Sequence, residues 1–246
     1  MKQKMISYLV VTLLVACSPA KKTPVISAQP FDLLDSFRNR IIPIMLYTDN
    51  ADTAGNHQLV VISSGYMGQN TEYSFLANHL AKEGYKVAVI RHELPTDEPI
   101  AREGNLYELR MPNWERGVKN VQFVVAEMKK RFPSIDVNKL ILVGHSNGGD
   151  ISMLFSKLYP QSVAAAITLD HRRMPVPKID KPRILSIRAD QFEADPGVLP
   201  SPEDQKQFGI KVVLLKNTRH DDLCDLGNAV AKQKVDSIVT SFLSKQ

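Results

Sequence analysis

A serine flanked by glycines stands where an apolar run gives way to a helical pattern. Residues 140–153 read LILVGHSNGGDISM, and the segment 144–148 (Gly-His-Ser-Asn-Gly) fits the pattern G-x-S-x-G. Glycines two positions before and after the serine leave room for a tight turn between a strand and a helix. Such a turn exposes the hydroxyl at a helix N-terminus, where developing negative charge is favoured. The pattern therefore predicts that Ser146 is a nucleophile.

A serine nucleophile needs a general base, and the chain contains six histidines. His220 lies after the last predicted strand and before the final helix, so its loop can fold back over the serine. We therefore predict His220 as the base. The other five are placed less well, in a polar loop, within a helix, inside the serine turn or after earlier strands; they are His57, His79, His92, His145 and His171.

The acid that orients the base is expected between the serine and the histidine, at the end of the strand before the last. Asp190 stands directly at that strand end, where the sheet would anchor it, and is the preferred prediction. Asp195 is the second choice, although an aspartate before Pro-Gly is also a common turn initiator. Asp170, at the end of the preceding strand, is the third choice.

An oxyanion hole requires two backbone donors. The amide of Asn147, directly after the serine, is one candidate. The second is expected in the glycine-rich segment SSGYMGQN at 63–70, which follows a strand. We predict the Tyr66 amide there, with Gly65 forming the turn.

Strand and helix patterns alternate along the rest of the chain. Apolar runs predict strands at 40–47, 58–64, 85–92, 138–144, 163–170, 183–189 and 211–216, and helical spacing predicts helices at 71–84, 113–132, 149–159 and 228–245. This order indicates an α/β fold with a mostly parallel sheet and helices on both faces. Only about a dozen residues separate Asp170 from Arg183, which leaves no room for an inserted cap domain. Ligands of such sheets bind at the carboxyl ends of the strands.

The N-terminus has the features of a targeting segment. Lys2 and Lys4 precede an apolar stretch at 5–16 that is short for a membrane-spanning helix, and Cys17 follows small residues. This pattern resembles a bacterial lipoprotein signal, which implies cleavage before Cys17, lipidation of that cysteine and a location in the cell envelope, on the periplasmic or surface side. We therefore expect a signal peptide at 1–16, a flexible tether at 17–30 and one catalytic domain at 31–246.

The charge distribution argues against nucleic-acid binding. Four of the five net positive charges lie before residue 30, so the domain itself is close to neutral. Of the two cysteines, Cys224 has no partner if Cys17 carries lipid, and no disulfide is expected. No cluster of His, Cys and acidic residues has metal-ligand spacing, so neither a metal nor an organic cofactor is predicted.

Several stretches together resemble the α/β-hydrolase superfamily, in particular its branch of dienelactone hydrolases and platelet-activating-factor acetylhydrolases. They are RNRIIPIMLY, SSGYMGQNTEYSFLANHLAKEGYKVAVIRHELP, GHSNGG and TRH. The resemblance spans about residues 31–245 and implies Ser146 as nucleophile, His220 as base and Asp190 as acid. The chain departs from the branch at Ser64, where many members carry histidine, and around Phe192, which leaves the choice between Asp190 and Asp195 open.

Together these features predict a serine hydrolase that cleaves a carboxylic ester through an acyl-enzyme, on small or short-acyl substrates. Arg172 or Arg173 could face an anionic substrate, although arginines that only solvate a turn are commoner. A peptidase or thioesterase with the same triad is an alternative. A non-catalytic lipoprotein that binds a ligand or partner in the same crevice is another.

Overall fold

The computed structural model describes residues 23–50 and 58–244. The predicted signal peptide at 1–16, the predicted lipidation site Cys17 and His57 lie outside the described residues. Within them, the chain forms an eight-stranded sheet flanked by helices on both faces, which confirms the predicted α/β architecture.

Six of the strands run parallel, and two form an antiparallel extension at one edge. The order across the sheet is β1-β2-β4-β3-β5-β6-β7-β8, with β2 antiparallel to both β1 and β4. The strands are β1 (Ile26–Asp35), β2 (Arg40–Asp49), β3 (Leu59–Ser63), β4 (Lys86–Ile90), β5 (Leu140–His145), β6 (Val163–Leu169), β7 (Arg183–Ala189) and β8 (Lys211–Leu215). The parallel strands therefore all end at the same edge of the sheet.

Helices connect the strands and cover the sheet. They are α1 (Ser74–Lys82), α2 (Leu106–Arg131), α3 (Asn147–Leu158), α4 (Pro202–Gln207) and α5 (Ala229–Leu243), with two short 3₁₀ turns at Pro160–Ser162 and His220–Leu223. One core packs α2 and α3 on the sheet around the fully buried Trp114. The other packs α1 and α5 on the opposite face, around Leu76 and Val235. Because the central strands are buried on both faces, they are apolar throughout rather than alternating.

The predicted tether is too long at its C-terminal end. Residues 26–30 belong to β1, which pairs with β2 over ten residues, so the expected boundary at residue 30 is wrong. The sequence hides this strand because it lies at the sheet edge, where backbone pairing rather than apolar burial holds it and most of its side chains remain exposed or half-buried. An edge strand also tolerates Pro30, which has no N–H to donate.

Helix α2 begins earlier than the sequence suggests. It starts at Leu106 instead of 113, with the Asn105 side chain accepting a hydrogen bond from the Glu108 N–H at 3.5 Å. Pro112 lies inside the helix, although proline is disfavoured in a helix interior. The earlier start matters for the site because it brings Arg110 onto the same helix as Asn113 and Trp114.

The segment between β6 and β7 is short and contains no helix, as predicted, so no cap covers the sheet edge at that point. Of the helices described, none has both the length and the apolar character that crossing a bilayer requires.

Candidate active site

Ser146 occupies a strained turn between β5 and α3. Its φ is 53° and its ψ is −122°, a conformation that residues with a Cβ rarely adopt and that costs about 1–3 kcal/mol. Ser146 is partly exposed, whereas the residues on both sides of it are buried. It is also the N-cap of α3. The turn thus brings one hydroxyl to the surface at the N-terminus of a helix, as the motif predicts.

The flanking glycines have the steric role that the motif requires. A Cβ on Gly144 would lie 2.1 Å from the carbonyl oxygen of Gly148, and a Cβ on Gly148 would lie 2.1 Å from the carbonyl oxygen of Ser63. Both obstacles are backbone atoms, which cannot rotate away. The prediction that these glycines provide clearance around Ser146 is therefore confirmed.

His220 pairs with a buried carboxylate, and that carboxylate belongs to Asp170. The distance from His220 Nδ1 to Asp170 Oδ2 is 2.6 Å. Asp170 is fully buried, and the His220 side chain is 15% exposed. Because the carboxylate accepts from Nδ1–H, Nε2 of the neutral ring is left as the acceptor. The Gln191 side-chain oxygen accepts a hydrogen bond from the backbone N–H of His220 at 2.8 Å, which fixes the backbone of His220.

The prediction that Asp190 orients His220 is wrong. The exposed Asp190 carboxylate instead accepts the N–H groups of Asn217 and Thr218, at 2.7 and 2.9 Å. These two N–H groups hold the pKa of Asp190 below its usual range. Asp190 therefore fastens the end of β7 to the loop that carries His220, but its own oxygens are engaged elsewhere.

Asp195, the second choice, forms a turn instead. Its carbonyl accepts the Val198 N–H at 3.1 Å, and its own N–H donates to the Arg172 carbonyl at 2.9 Å. Its side chain is exposed. Asp195 therefore initiates a turn, which is a common role of an aspartate before Pro-Gly.

The second oxygen of Asp170 is held by an arginine that the sequence analysis did not consider. Arg188 Nη2 lies 2.9 Å from Asp170 Oδ1, and the Ala189 N–H donates to the same oxygen at 3.2 Å. The buried Arg188 also donates to the carbonyls of His171 and Phe192. An arginine inside the apolar strand RILSIRA was the available signal, because a buried guanidinium needs a carboxylate partner nearby.

His145 connects the base to the loop after β3. Its Nε2 lies 3.1 Å from the His220 carbonyl, so Nε2 is the donor and carries the hydrogen. Its Nδ1 then accepts from the Tyr73 hydroxyl at 3.0 Å, and that hydroxyl accepts the Gly65 N–H at 2.9 Å. Burial, together with the nearby His220, lowers the pKa of His145 to about 3. A neutral His145 of fixed tautomer therefore positions three segments and does not compete as the base.

The remaining described histidines do not approach the serine as bases. His92 and His171 are buried, and burial lowers the pKa of each to about 3. His79 pairs with the Thr240 hydroxyl at 2.6 Å, between α1 and α5. Among the described histidines, His220 is thus the one placed to act as a base.

The predicted oxyanion donors belong to two segments that adjoin Ser146. A Cβ on Gly65 would lie 3.5 Å from Ser146 Cβ, so the loop after β3 runs directly beside the nucleophile. A turn closed by the Gly68 N–H on the Gly65 carbonyl, at 2.9 Å, shapes that loop around Tyr66. Within the described residues, neither the Tyr66 N–H nor the Asn147 N–H donates to a protein acceptor. Both amides are therefore available to a substrate oxygen.

The side chain of Asn147 is held in a buried polar network that the sequence did not reveal. Its Oδ1 accepts from Trp114 Nε1 at 2.8 Å, and its Nδ2 donates to Asn113 Oδ1 at 2.8 Å. Asn113 and Asn147 both donate to Glu93 Oε1, at 3.3 Å. Burial raises the pKa of Glu93. Three side chains from two segments, α2 and the loop after β4, thus hold the residue that follows Ser146.

The Ser146 hydroxyl makes no hydrogen bond to another side chain of the described residues, and catalytic hydrogen bonds of unliganded sites commonly tighten when substrate binds. Nor does the described part of the chain bring three or more His, Cys, Asp or Glu side chains together as metal ligands.

Comparisons with known proteins agree with this fold. Residues 54–170 match the family model described as serine aminopeptidase, S33, a match that includes Ser146 and Asp170. The dienelactone hydrolase-like promiscuous phosphotriesterase P91, from metagenomic libraries, aligns with a TM-score of 0.66 over 89% of this chain and 98% of its own, at 14% identity. The chain has the α/β-hydrolase fold.

Two esterases share the fold at similarly low sequence identity. Est1E from Butyrivibrio proteoclasticus aligns at 15% identity with a TM-score of 0.59, over 89% of this chain and 99% of its own. A ferulic acid esterase from Streptomyces cinnamoneus aligns at 18% identity with a TM-score of 0.58, over 85% of this chain and 78% of its own. A comparison with curated protein sequences gave no match.

Proposed function

We propose that this protein, which has the α/β-hydrolase fold, is a serine hydrolase that cleaves carboxylic esters. Ser146 is the nucleophile, His220 the base and Asp170 the acid. The observation that carries the proposal is the 2.6 Å contact between His220 and the buried carboxylate of Asp170. The carbonyl of His220 also accepts a hydrogen bond from His145, the residue before the strained Ser146. Strain at a nucleophile, an oriented imidazole and free backbone donors are the parts that acyl transfer requires.

Acylation begins with attack of Ser146 Oγ on the ester carbonyl carbon. His220 Nε2 takes the hydroxyl proton, and Asp170 stabilises the imidazolium that forms. The Tyr66 and Asn147 N–H groups donate to the oxyanion of the tetrahedral intermediate. When the intermediate collapses, the imidazolium gives its proton to the leaving alcohol, and the acyl group remains on Ser146.

Deacylation repeats these steps with water. His220 removes a proton from the water molecule as it attacks the acyl carbon, and the same two amides stabilise the second oxyanion. Collapse returns the proton from His220 to Ser146 Oγ and releases the acid. The absence of a cap between β6 and β7 supports small or accessible acyl groups over long chains that need an enclosed apolar tunnel.

A fluorophosphonate probe tests the nucleophile directly. We expect the wild-type chain to be labelled covalently and Ser146→Ala to remain unlabelled, because the probe reacts with an activated serine. Ser152→Ala, which removes a buried hydroxyl bonded to the Gly148 carbonyl, serves as the matched control and should still be labelled. A folded wild-type chain that stays unlabelled and turns over no ester would instead support a non-catalytic binding protein.

A second candidate is peptide hydrolysis, because the matched family model is described as a serine aminopeptidase. An aminopeptidase must bind a positively charged substrate amine, which carboxylates do best. The residues that follow Asp170 on the same loop are Arg172 and Arg173, which would repel such an amine. Turnover of p-nitrophenyl esters but not of amino-acid p-nitroanilides is the result that favours the esterase.

We also propose that the protein is anchored in a bacterial cell envelope by lipid on Cys17, on the periplasmic or surface side. The basic start, the apolar stretch at 5–16 and the small residues before Cys17 support this. Expressed in a bacterial host, the wild-type chain is expected to partition into the detergent phase of Triton X-114, and Cys17→Ser into the aqueous phase. Equal partitioning of both would contradict lipidation, and Cys224→Ser serves as the control for loss of a thiol elsewhere.

A further inference from the structure

Three arginines gather near the candidate catalytic residues. Arg110 lies on α2 one turn before Asn113 and Trp114, the residues that hold the Asn147 side chain. Arg172 and Arg173 follow Asp170 on the loop after β6. The three side chains interact electrostatically with one another, although they come from two separate segments.

These guanidinium groups lack the ion pairs that such groups usually form. Within the described residues, none of the three lies within salt-bridge distance of a carboxylate, and the Nε atoms of Arg172 and Arg173 are buried without a hydrogen-bond partner. Arg110 is 8% exposed, and its one protein hydrogen bond runs from Nε to the Ala101 carbonyl at 2.8 Å, so its terminal nitrogens remain available. Burial and the two neighbouring arginines lower the pKa of Arg110 to about 10.

Three carboxylates lie within electrostatic range of the arginines but do not neutralise them by contact. Asp170 pairs with Arg188 instead, and the other two are Asp150 and Asp195. Asp150 is buried, and its Oδ1 accepts the N–H groups of Arg173 and Met174, at 3.0 and 2.8 Å. The exposed Asp195 donates its backbone N–H to the Arg172 carbonyl. Both aspartates therefore fix the backbone that presents the arginines. Arg172 and Arg173 are half-buried and Arg110 is almost fully buried, so the three guanidinium groups are partly shielded from solvent.

Arg172 lies close to the candidate base His220. The Arg172 guanidinium carbon is 4.7 Å from the centre of the Phe192 ring, and that ring packs edge-on against His220 with centroids 6.1 Å apart. One aromatic ring thus separates the Arg172 guanidinium from the base. An anion held by the arginines would lie a short carbon chain away from an ester carbonyl at Ser146.

We propose that Arg110, Arg172 and Arg173 form a subsite for an oxyanion, a carboxylate or phosphate, carried by the ester substrate. Planar guanidinium groups bind both anions through paired hydrogen bonds, and a substrate anion would supply the partners that these groups lack. The inference rests on the proposed esterase function and specifies its substrate class as short esters that bear a negative charge.

Matched esters test the subsite. The p-nitrophenyl half-esters of succinic and glutaric acid are compared with the p-nitrophenyl esters of pentanoic and hexanoic acid, which have similar length but no charge. We expect wild-type kcat/KM to be at least about tenfold higher for the charged esters, equivalent to about 1.4 kcal/mol. This ratio should fall towards one in Arg110→Gln, Arg172→Gln and Arg173→Gln, and should weaken as salt is added.

Arg102→Gln is the control, because Arg102 is exposed and forms no ion pair with the described residues. It should keep the wild-type ratio. Circular dichroism and thermal melting of each variant show that a lost preference does not come from unfolding. A wild-type chain that prefers the neutral esters, or glutamine variants that keep the charged preference, would overturn the subsite while leaving the esterase proposal intact.

Binding to Ser146→Ala separates the two proposals. Succinate and inorganic phosphate are titrated into this variant by calorimetry at fixed ionic strength, and Ser146→Ala/Arg172→Gln is titrated in the same way. Binding of either anion that is lost in the double variant supports the subsite, and the tighter of the two identifies the oxyanion. Absence of binding by both overturns it, whether or not the wild-type chain hydrolyses esters.

Discussion

Asp170→Asn is expected to lower kcat for a p-nitrophenyl ester by about 10⁴-fold, the size of effect seen when the carboxylate of a serine–histidine pair becomes an amide. The amide can present its NH₂ group to His220 Nδ1, which favours the tautomer with the hydrogen on Nε2. That tautomer cannot accept the proton of Ser146. Steady-state rates with one activated ester measure the effect.

Asp190→Asn is the matched comparison, because it makes the same chemical change at the carboxylate that the sequence favoured. Its oxygens accept two backbone N–H groups in the loop before His220 and do not contact the imidazole. We therefore expect Asp190→Asn to retain most of the wild-type kcat. Loss of several orders of magnitude in Asp190→Asn, with Asp170→Asn near wild type, would reverse the assignment.

Arg188→Leu is expected to destabilise the protein by about 3–5 kcal/mol, because it leaves the buried Asp170 carboxylate without its charged partner. The change also removes the donors to the His171 and Phe192 carbonyls. Urea unfolding monitored by circular dichroism measures the loss. Leucine fills a similar apolar volume, so the missing charge and hydrogen bonds dominate the result.

Two further variants interpret that result. Arg188→Lys keeps a positive charge but cannot reach Asp170 and both carbonyls together, and we expect an intermediate loss of stability. Arg102→Leu, at an exposed position without an ion pair among the described residues, should unfold like the wild type. An Arg188→Leu protein as stable as the wild type would mean that the Asp170 carboxylate needs no guanidinium partner.

Structural features could be predicted from the sequence where one short segment contains all the residues that determine them. The G-x-S-x-G turn specifies both the strained serine and the clearance around it, because the steric demand is local. His220 could be chosen by its place after the last strand. The apolar strands β3 to β7 were also recognisable, since burial on both faces leaves little alternation.

The acid could not be chosen in this way. Asp170 and Asp190 both follow parallel strands that are neighbours in the sheet, so chain order allows either to reach His220. The choice depends on three-dimensional contacts: Arg188 holds Asp170 from one side, while the backbone of 217–218 occupies Asp190 from the other. A rule based on the strand before the last fails here because the carboxylate that contacts His220 lies one strand earlier.

The hydrogen bonds of His145 and His220 join parts of the chain that are far apart. Tyr73 and His145 are 72 residues apart, His145 and His220 are 75 apart, and Asp170 and His220 are 50 apart. Closing such long loops costs entropy that only the completed structure repays. The base therefore cannot reach its place until the segment after β8 has docked. Recovered activity during refolding thus reports completion of the whole fold, whereas the Trp114 environment reports only the packing of α2.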